Sequence, residues 1–391
     1  MSSASLPNPR VLVTYGWVRS SWGLIRNLAR HGLEVYVGDH QSFFMSRFSR
    51  YCSGWFQYPH FHADTDGFIS AVVDYIMKHD IGVYIPSHEE GFLVAKHRDR
   101  FPDSVHVAVA DYEAIRTLDH KLHAQQLAEE LGVPHPATFE IGSESSLETS
   151  LPHLPEKGVI KVPFSHGSHG VSFFENHSEL RERWARVMAE QPEGAPAPIV
   201  QQFVHGTIQT VMVLAEKGEV KANFARRNVR EKETFGGAAV KCESILFPEA
   251  LEDATRIVRH LSYSGVAMFE YIVDRESGER WLMEVNPRYW GTTPHDLNCG
   301  VSYPYYQYCL AHGLPFRENP EYPLGHRSRW IAGDVISYFK NPRSERGFRV
   351  ARKHLDFDDD SFMDFSIDDP VPFLVQSYLY YKHRAKIFSK R

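Results

Sequence analysis

The chain has 391 residues, 42% of them hydrophobic and 24% charged, with a formal net charge of −6. That length suffices for two or three cores, and the acidic balance argues against a protein that holds nucleic acid by bulk charge. Cys52, Cys242, Cys299 and Cys309 show no C-x-x-C spacing and signal neither a zinc site nor a disulfide framework; no apolar run approaches the roughly 18–20 residues of a membrane span, and the first residues lack a basic-then-apolar leader. A cytoplasmic protein is expected.

In chain order, R-V-L-V-T-Y-G reads as a strand ending at Gly16, followed by a helix through Leu24, Ile25 and Leu28. L-E-V-Y-V-G-D is a second strand, Phe68 to Met77 a helix, and D-I-G-V-Y-I-P-S-H-E-E and V-H-V-A-V-A-D two further strands. Strands alternating with helices predict a parallel sheet whose ligand rim would hold residues 19–21, Asp39 and residues 87–90. The first turn, T-Y-G-W-V-R-S-S-W-G, is not G-x-G-x-x-G, which argues against NAD. Arg19 there is either a solvated loop residue or a substrate anchor.

A helix begins near Lys121 and ends at L-G-V-P-H-P, capped by Gly132 and stopped by Pro134. The Ser/Glu/Pro-rich stretch after it reads as surface loop or a poorly packed helix. G-V-I-K-V-P-F-S-H-G-S-H-G-V then predicts strand, small-residue loop and strand. A charged helix around Glu179 to Met188 follows, then the apolar run P-I-V-Q-Q-F-V-H-G, two long strands, and a helix from Pro248 to Leu261.

V-A-M-F-E-Y-I-V-D and R-W-L-M-E-V-N, separated by D-R-E-S-G-E, predict a β-hairpin. With its turn near Ser277, Glu270 falls opposite Glu284. Strand alternation groups Leu282, Glu284 and Asn286 on one face and Met283 and Val285 on the other. Facing carboxylates destabilise a ladder unless something positive lies between them. Two carboxylates and an amide carbonyl suit a hard cation, and so few protein ligands favour Mg²⁺ shared with water and phosphate over a caged Ca²⁺. Lys161 inside the apolar V-I-K-V asks for an anion, and the following loop offers backbone N–H groups for phosphate oxygens. Arg226 and Arg227 face opposite ways, so only part of the cluster with Arg230 points inward.

The ordered set of G-V-I-K-V-P-F-S-H-G-S-H-G-V, I-V-Q-Q-F-V-H-G and F-E-Y…M-E-V-N-P-R resembles the ATP-grasp enzymes, in particular the carboxylate–amine ligase branch that includes D-aspartate-ligase-like proteins. The resemblance covers roughly residues 11–330, and the tail matches only loosely. It implies a mixed α/β and α+β chain: a parallel-sheet pre-ATP-grasp domain (1–115), a small lid with its linker helix (116–205), an antiparallel metal- and nucleotide-binding domain (206–335) and a helical extension (336–391). It further implies ATP and Mg²⁺, with Mn²⁺ as a substitute. Lys121 and Lys161 would meet the nucleotide, Ser165, His166, Gly167, Ser168 and Gly170 would close over the triphosphate, and Gln201, Gln202, Phe203 and Val204 would form the adenine hinge. Glu270, Glu284 and Asn286 would hold the metal. Arg288, Lys161 and Arg226 would serve the transferred phosphoryl group. Two departures stand out. Val162 separates Lys161 from Pro163 where the family commonly has K-P, and Gln202 stands where the hinge often has Glu.

The implied reaction is ATP-driven joining of a small-molecule carboxylate to an amine through an acyl phosphate. Rivals are bicarbonate activation on the same fold and a non-catalytic nucleotide-binding regulator. The substrate pocket is expected between the first domain's strand ends and residues 289–296, with Trp290, Thr292, Thr293 and His295 as walls. No nucleic acid is expected, and a homodimer is compatible with the sequence. The aromatic, basic last segment is expected to pack on its own domain, leaving Lys382, Arg384 and Lys386 in water; peripheral membrane contact is the less favoured alternative.

Overall fold

A computed structural model describes residues 6–162, 171–192, 194–232, 237–340 and 358–388. The first unit alternates β1 (Arg10–Val13), α1 (Arg19–Arg30), β2 (Glu34–Asp39), β3 (Gly54–Gln57), α2 (Thr65–His79), β4 (Val83–Ile85), α3 (Glu90–Lys96) and β5 (His106–Val107). Its sheet has the order β3-β2-β1-β4-β5, with every pairing parallel. Val11, Val13, Val35 and Val37 pack toward Trp22, Ile25 and Leu28 of α1, while Leu12 and Tyr84 pack toward Phe68 and Val72 of α2. Burial on both faces explains the near-continuous apolar runs. The sequence reading passed over β3. As an edge strand with alternately half-buried and exposed residues, it carries too little apolar signal to stand out.

Two helices, α4 (Tyr112–Asp119) and α5 (Lys121–Glu130), lead to a four-stranded antiparallel sheet of order β6-β9-β7-β8. Its elements are β6 (Thr138–Glu140), α6 (Glu144–Ser150), β7 (Gly158–Lys161), β8 (Val171–Phe174), α7 (His177–Glu190) and β9 (Ile199–Gln202). The Ser/Glu/Pro-rich stretch is a packed helix, contrary to expectation. Ser143 and Ser146 form a reciprocal capping box at the start of α6, and Leu147, Leu151 and Leu154 enter the core with Trp184.

The third sheet contains β10 (Thr207–Glu216), β11 (Glu219–Glu231), β12 (Ala239–Ile245), β13 (Gly265–Val273), β14 (Arg280–Asn286), β15 (Arg327–Arg329) and β16 (Ser361–Phe362), in the order β14-β13-β10-β11-β12-β15-β16. All its pairings are antiparallel except β15 with β16. Val211, Val213 and Ala215 turn toward the helix α8 (Pro248–His260), whereas Met212 and Leu214 join the core shared with α1, α9 (Thr293–Asn298) and α10 (Tyr303–Ala311). Gly23 permits the close approach of α1 to α9, since a Cβ there would lie 3.0 Å from the Pro294 ring. After α11 (Ile331–Lys340), the last helix, Val371–Phe388, places Val375 and Leu379 in that same core. Its Tyr378 ring meets Phe43 at 6.0 Å. The segment therefore packs on the first unit and, through Tyr380, on Trp330 and the cluster of β12 as well. Lys382 is exposed, and the side chains of Arg384 and Lys386 lie outside the described ones. Among the described residues, no helix is long and apolar enough to cross a membrane.

Candidate functional site

The hairpin of β13 and β14 sets Glu270 directly opposite Glu284. Its turn is held by Asp274 Oδ1, which accepts the backbone N–H groups of Glu276 (2.9 Å) and Ser277 (2.8 Å), and by Gly278 at φ 74°. The predicted face grouping needs one correction. A register shift between Glu270 and Tyr271 makes Met283 an extra residue, so Leu282 packs in the same core as Val285. Glu284 keeps Asn286 as its neighbour: the Asn286 amide Nδ2 donates to Glu284 Oε1 at 3.1 Å, which leaves the amide oxygen for another partner.

The strand registers continue this row across the sheet as Glu284, Glu270, Thr210, Arg226 and Ser244. Such a row lies on one face, so an acidic end and a basic end share a surface with a hydroxyl between them. Arg226 is 3% exposed. Arg227 turns away to pair with Glu243 at 2.5 Å, and Arg230 pairs with Asp334 at 2.6 Å, so Arg226 is the member of that cluster on the row. Three polar atoms nearby are buried without a protein partner: Thr210 Oγ1, Arg226 Nε and Arg288 Nε.

Two lysines reach the acidic end. Lys121 opens α5, which docks on β14 through Gln125 Nε2, donating to the Leu282 carbonyl at 2.9 Å and the Met283 carbonyl at 3.3 Å. Lys161 ends β7, and its Nζ donates to Gln201 Oε1 at 2.6 Å; Gln201 Nε2 in turn donates to Thr138 Oγ1 at 2.9 Å. Burial and the Glu284 charge push the Glu270 carboxyl up. Burial pushes Glu284 the same way but is outweighed by Lys121, Lys161, Asn286 and Arg288, which hold it below its ordinary value. The Lys161 ammonium is pushed down to about 8 by burial, with Lys121 adding to the fall and Glu284 opposing it. Two carboxylates held face to face are thus driven apart, one upward by burial and its neighbour's charge, the other downward by the cations around it. The all-oxygen donor set and the orphaned Thr210 hydroxyl fit a hard divalent ion carrying phosphate oxygens.

Other expected residues fall differently. Ser165, His166, Gly167, Ser168 and Gly170 lie outside the described residues. Gln201 is buried and bound to Lys161, while Gln202 is exposed. The N–H groups of Gln202 and Phe203 donate to the carbonyls of Ala137 (2.9 Å) and Lys157 (3.3 Å), so neither is left for a ligand; Val204 follows on. Asp39 and Glu90 are not rim contacts. Asp39 accepts the N–H of Trp17, and Glu90 Oε1 accepts from Thr14 Oγ1 at 2.7 Å and the Ser87 N–H at 2.9 Å. The expected walls Trp290, Thr292, Thr293 and His295 are buried, with Trp290 Nε1 donating to Asp296 Oδ2 at 3.0 Å. Thr292 Oγ1 is buried without a partner.

Arg19 resolves toward the interior. It is the first residue of α1, 7% exposed, with its guanidinium 3.8 Å over the Trp330 ring and its Nε without a partner. Tyr380 of the last helix lies beside it, and both Arg19 and Arg226 act on the Cys242 thiol. The sequence reading missed Thr210, Trp330 and Tyr380. Thr210 alone had a local signal, a hydroxyl at the head of the apolar run V-M-V-L-A.

A sequence profile described as the ATP-grasp domain matches residues 118–292, a span that contains Lys121, Lys161, Arg226, Glu270, Glu284, Asn286 and Arg288. Among curated proteins, acetyl-CoA carboxylase 2 of Oryza sativa subsp. japonica is 24% identical over 237 residues, which are 53% of this chain and 10% of that protein. The chain thus spans about a tenth of the length of that relative. Among solved structures, N5-carboxyaminoimidazole synthetase from Staphylococcus aureus with ADP superposes at a TM-score of 0.66 and 13% identity, covering 82% of each chain. The biotin carboxylase domain dimer of Hydrogenobacter thermophilus 2-oxoglutarate carboxylase, with MgADP, ADP and bicarbonate, gives 0.65 and 15%, covering 82% of this chain and 73% of that one. L-amino acid ligase from Bacillus licheniformis gives 0.60 and 15%, covering 77% and 73%. At these identities the likeness establishes the fold. The chain has the ATP-grasp fold, and its residues 118–292 match the ATP-grasp domain.

Proposed function

We propose that the chain is an ATP-dependent carboxylate–amine ligase that forms an amide or peptide bond through an acyl phosphate. The observation that carries this reading is the cross-sheet row running from Glu284 and Glu270 through Thr210 to Arg226, with Arg19 beyond it. Two buried arginines with free Nε atoms repel each other and favour an anion between them, and the Trp330 and Tyr380 rings suit an organic carboxylate larger than bicarbonate.

Glu270, Glu284 and Asn286 would hold Mg²⁺, or Mn²⁺ in its place, and the bound ion would neutralise charge on the phosphates. Lys121 and Lys161 bind phosphate oxygens, with Gln201 fixing the Lys161 ammonium. Arg19 and Arg226 orient the substrate carboxylate, whose oxygen attacks the γ-phosphorus as the bond to ADP breaks. Arg288 and Arg226 stabilise the charge that spreads over the transferred phosphoryl oxygens. The amine then attacks the acyl carbon, phosphate leaves, and the amine proton passes to solvent. A homodimer, as in the Hydrogenobacter thermophilus domain, is compatible with this arrangement.

A second reading activates bicarbonate instead. It is favoured by the carboxylases among the relatives and by the bicarbonate in a structural neighbour. Phosphate release from ATP, measured with pairs of amino acids and small carboxylates in bicarbonate-free buffer, separates the two. Release that needs both an added carboxylate and an added amine is expected, and it should be lost in a folded Glu284→Gln variant. Release that needs bicarbonate overturns the ligase in favour of the second reading. Undiminished turnover by Glu284→Gln removes the site itself.

A further inference from the structure

Outside the nucleotide site, α9 carries a second cluster of polar side chains. His295 and Cys299 stand four residues apart on α9 and its C-terminal edge, a spacing that puts both on one helical face. His326, leading into β15, completes a trio whose candidate donor atoms all lie within 4.8 Å of one another. His295 and Cys299 are buried, and His326 is partly exposed.

The polar groups around the trio are ordered. His295 Nδ1 meets Ser328 Oγ at 2.7 Å, Ser328 Oγ meets Ser361 Oγ at 2.7 Å, and Ser361 Oγ meets His326 Nε2 at 2.9 Å. This chain of hydrogen bonds ties one nitrogen of each ring and leaves the other over. His295 Nε2 is buried with no partner. His326 Nδ1 lies 3.9 Å from Asp360 Oδ2. Asp360 also acts on the Cys299 thiol, as does Asp296, and with burial these carboxylates push that thiol well up. A fully buried imidazole nitrogen without a partner is costly unless a ligand takes it up. A thiol and two imidazoles with a carboxylate at their edge make a poor site for an anion and a suitable one for a cation.

We infer that His295, Cys299 and His326 form a zinc site with an open fourth position, distinct from the acidic end of the nucleotide-binding row. Sulfur and imidazole donors select zinc over Mg²⁺, which prefers the all-oxygen set of Glu270, Glu284 and Asn286. Zinc–ligand bonds of about 2.0–2.3 Å put tetrahedral donors about 3.5 Å apart, so donors within 4.8 Å of one another close by about 1.3 Å at most. Binding expels the Cys299 proton to solvent, and the thiolate offsets part of the charge of the ion. The hydroxyls of Ser328 and Ser361 then hold the imidazoles in place from behind. The ion would fasten the end of α9, which follows β14 with its Glu284 and Asn286, to the entries of β15 and β16.

The test is cobalt substitution in the full chain. After removal of metal with a chelator, Co²⁺ is added in the presence of excess Mg²⁺ and ADP. One tightly held cobalt per chain is expected, with a thiolate-to-cobalt charge-transfer band in the near ultraviolet and intense tetrahedral bands in the visible. Cys299→Ser should abolish the ultraviolet band. His326→Ala, at a partly exposed position where folding is safe, should weaken cobalt binding by more than about 100-fold while ADP binding persists. Failure to retain cobalt, a bound ion without the thiolate band, or an unchanged spectrum in Cys299→Ser each overturns the assignment. None of these outcomes depends on whether the chain proves to be a ligase.

Discussion

Glu90 is fully buried at the start of α3, its Oε1 held by Thr14 and the Ser87 N–H and its Oε2 without a partner. Burial raises its carboxyl from 4.5 to about 7. Between those two values the native state keeps a proton that the unfolded chain has released. The native state is therefore favoured most at the acid end of that window, and its stability falls as pH rises through about 7, by about 3 kcal/mol in all. A Glu90→Gln variant keeps the acceptor for Thr14 and Ser87 but cannot ionise. Its stability relative to the parent should climb by about 2–3 kcal/mol from about pH 5 to pH 8, read from denaturant unfolding at each pH. A pH-independent difference would count against the buried-acid account. Asp39, raised to about 7 by the same burial, leaves a residual slope in both proteins. At this scale the sequence marked the right letters and sometimes the wrong duty. Asp39 and Glu90 stand at strand ends where ligands commonly bind, but nothing in the local string says that Thr14, 76 residues away from Glu90, will claim the carboxylate.

The hairpin was legible at the level of elements because D-R-E-S-G-E supplies its own turn chemistry: Asp274 caps the backbone, and Gly278 takes the left-handed conformation. Its bulge was not, since an extra residue in a strand leaves no compositional mark. The bulge matters because β14 is an edge strand. The carbonyls of Leu282 and Met283 are taken up by Gln125 Nε2, and the Leu282 N–H donates to the Pro134 carbonyl at 2.8 Å. Helix α5 and the turn after it thus cover an edge that would otherwise stay open. They also set Lys121, one turn before Gln125, against Glu284. Gln125→Met keeps the volume of this 2% exposed side chain and removes its donors. Stability should drop by about 1–3 kcal/mol. If α5 positions Lys121, the KM for MgATP should rise several-fold with a smaller change in kcat. A loss confined to stability, with KM unmoved, would reduce Gln125 to a structural tie.

For the whole molecule, the least legible feature is the return of the chain's end to its beginning. Asp369 is 2% exposed and serves three groups of the first unit: Trp22 Nε1 donates to it at 2.8 Å, Ser49 Oγ at 2.5 Å and the Arg50 N–H at 3.0 Å. Trp22 and Asp369 are 347 residues apart, and no periodicity or motif spans such a distance. This explains why the tail looked like a loose appendage in sequence. Beside Asp369, Asp368 pairs with Arg26 at 3.5 Å and Arg30 at 2.7 Å on α1, the helix that begins with Arg19. The last helix then brings Tyr380 to Arg19 and Trp330, so the closing segment both clamps α1 and furnishes one wall of the proposed carboxylate pocket. Asp369→Ala would strand the Trp22 indole N–H and the Ser49 hydroxyl in the interior, at a cost of about 2–4 kcal/mol. Thermal unfolding should register that loss, and limited proteolysis should cut the last helix sooner than in the parent. With α1 less constrained, the KM for the carboxylate substrate should rise while that for ATP stays close to the parent value, because Lys121 on α5 and Lys161, Glu270 and Glu284 on the other two sheets lie outside the first unit, where Asp369 makes its hydrogen bonds. An equal rise in both KM values would mean that the clamp holds the fold as a whole and gives α1 no particular hold on the substrate.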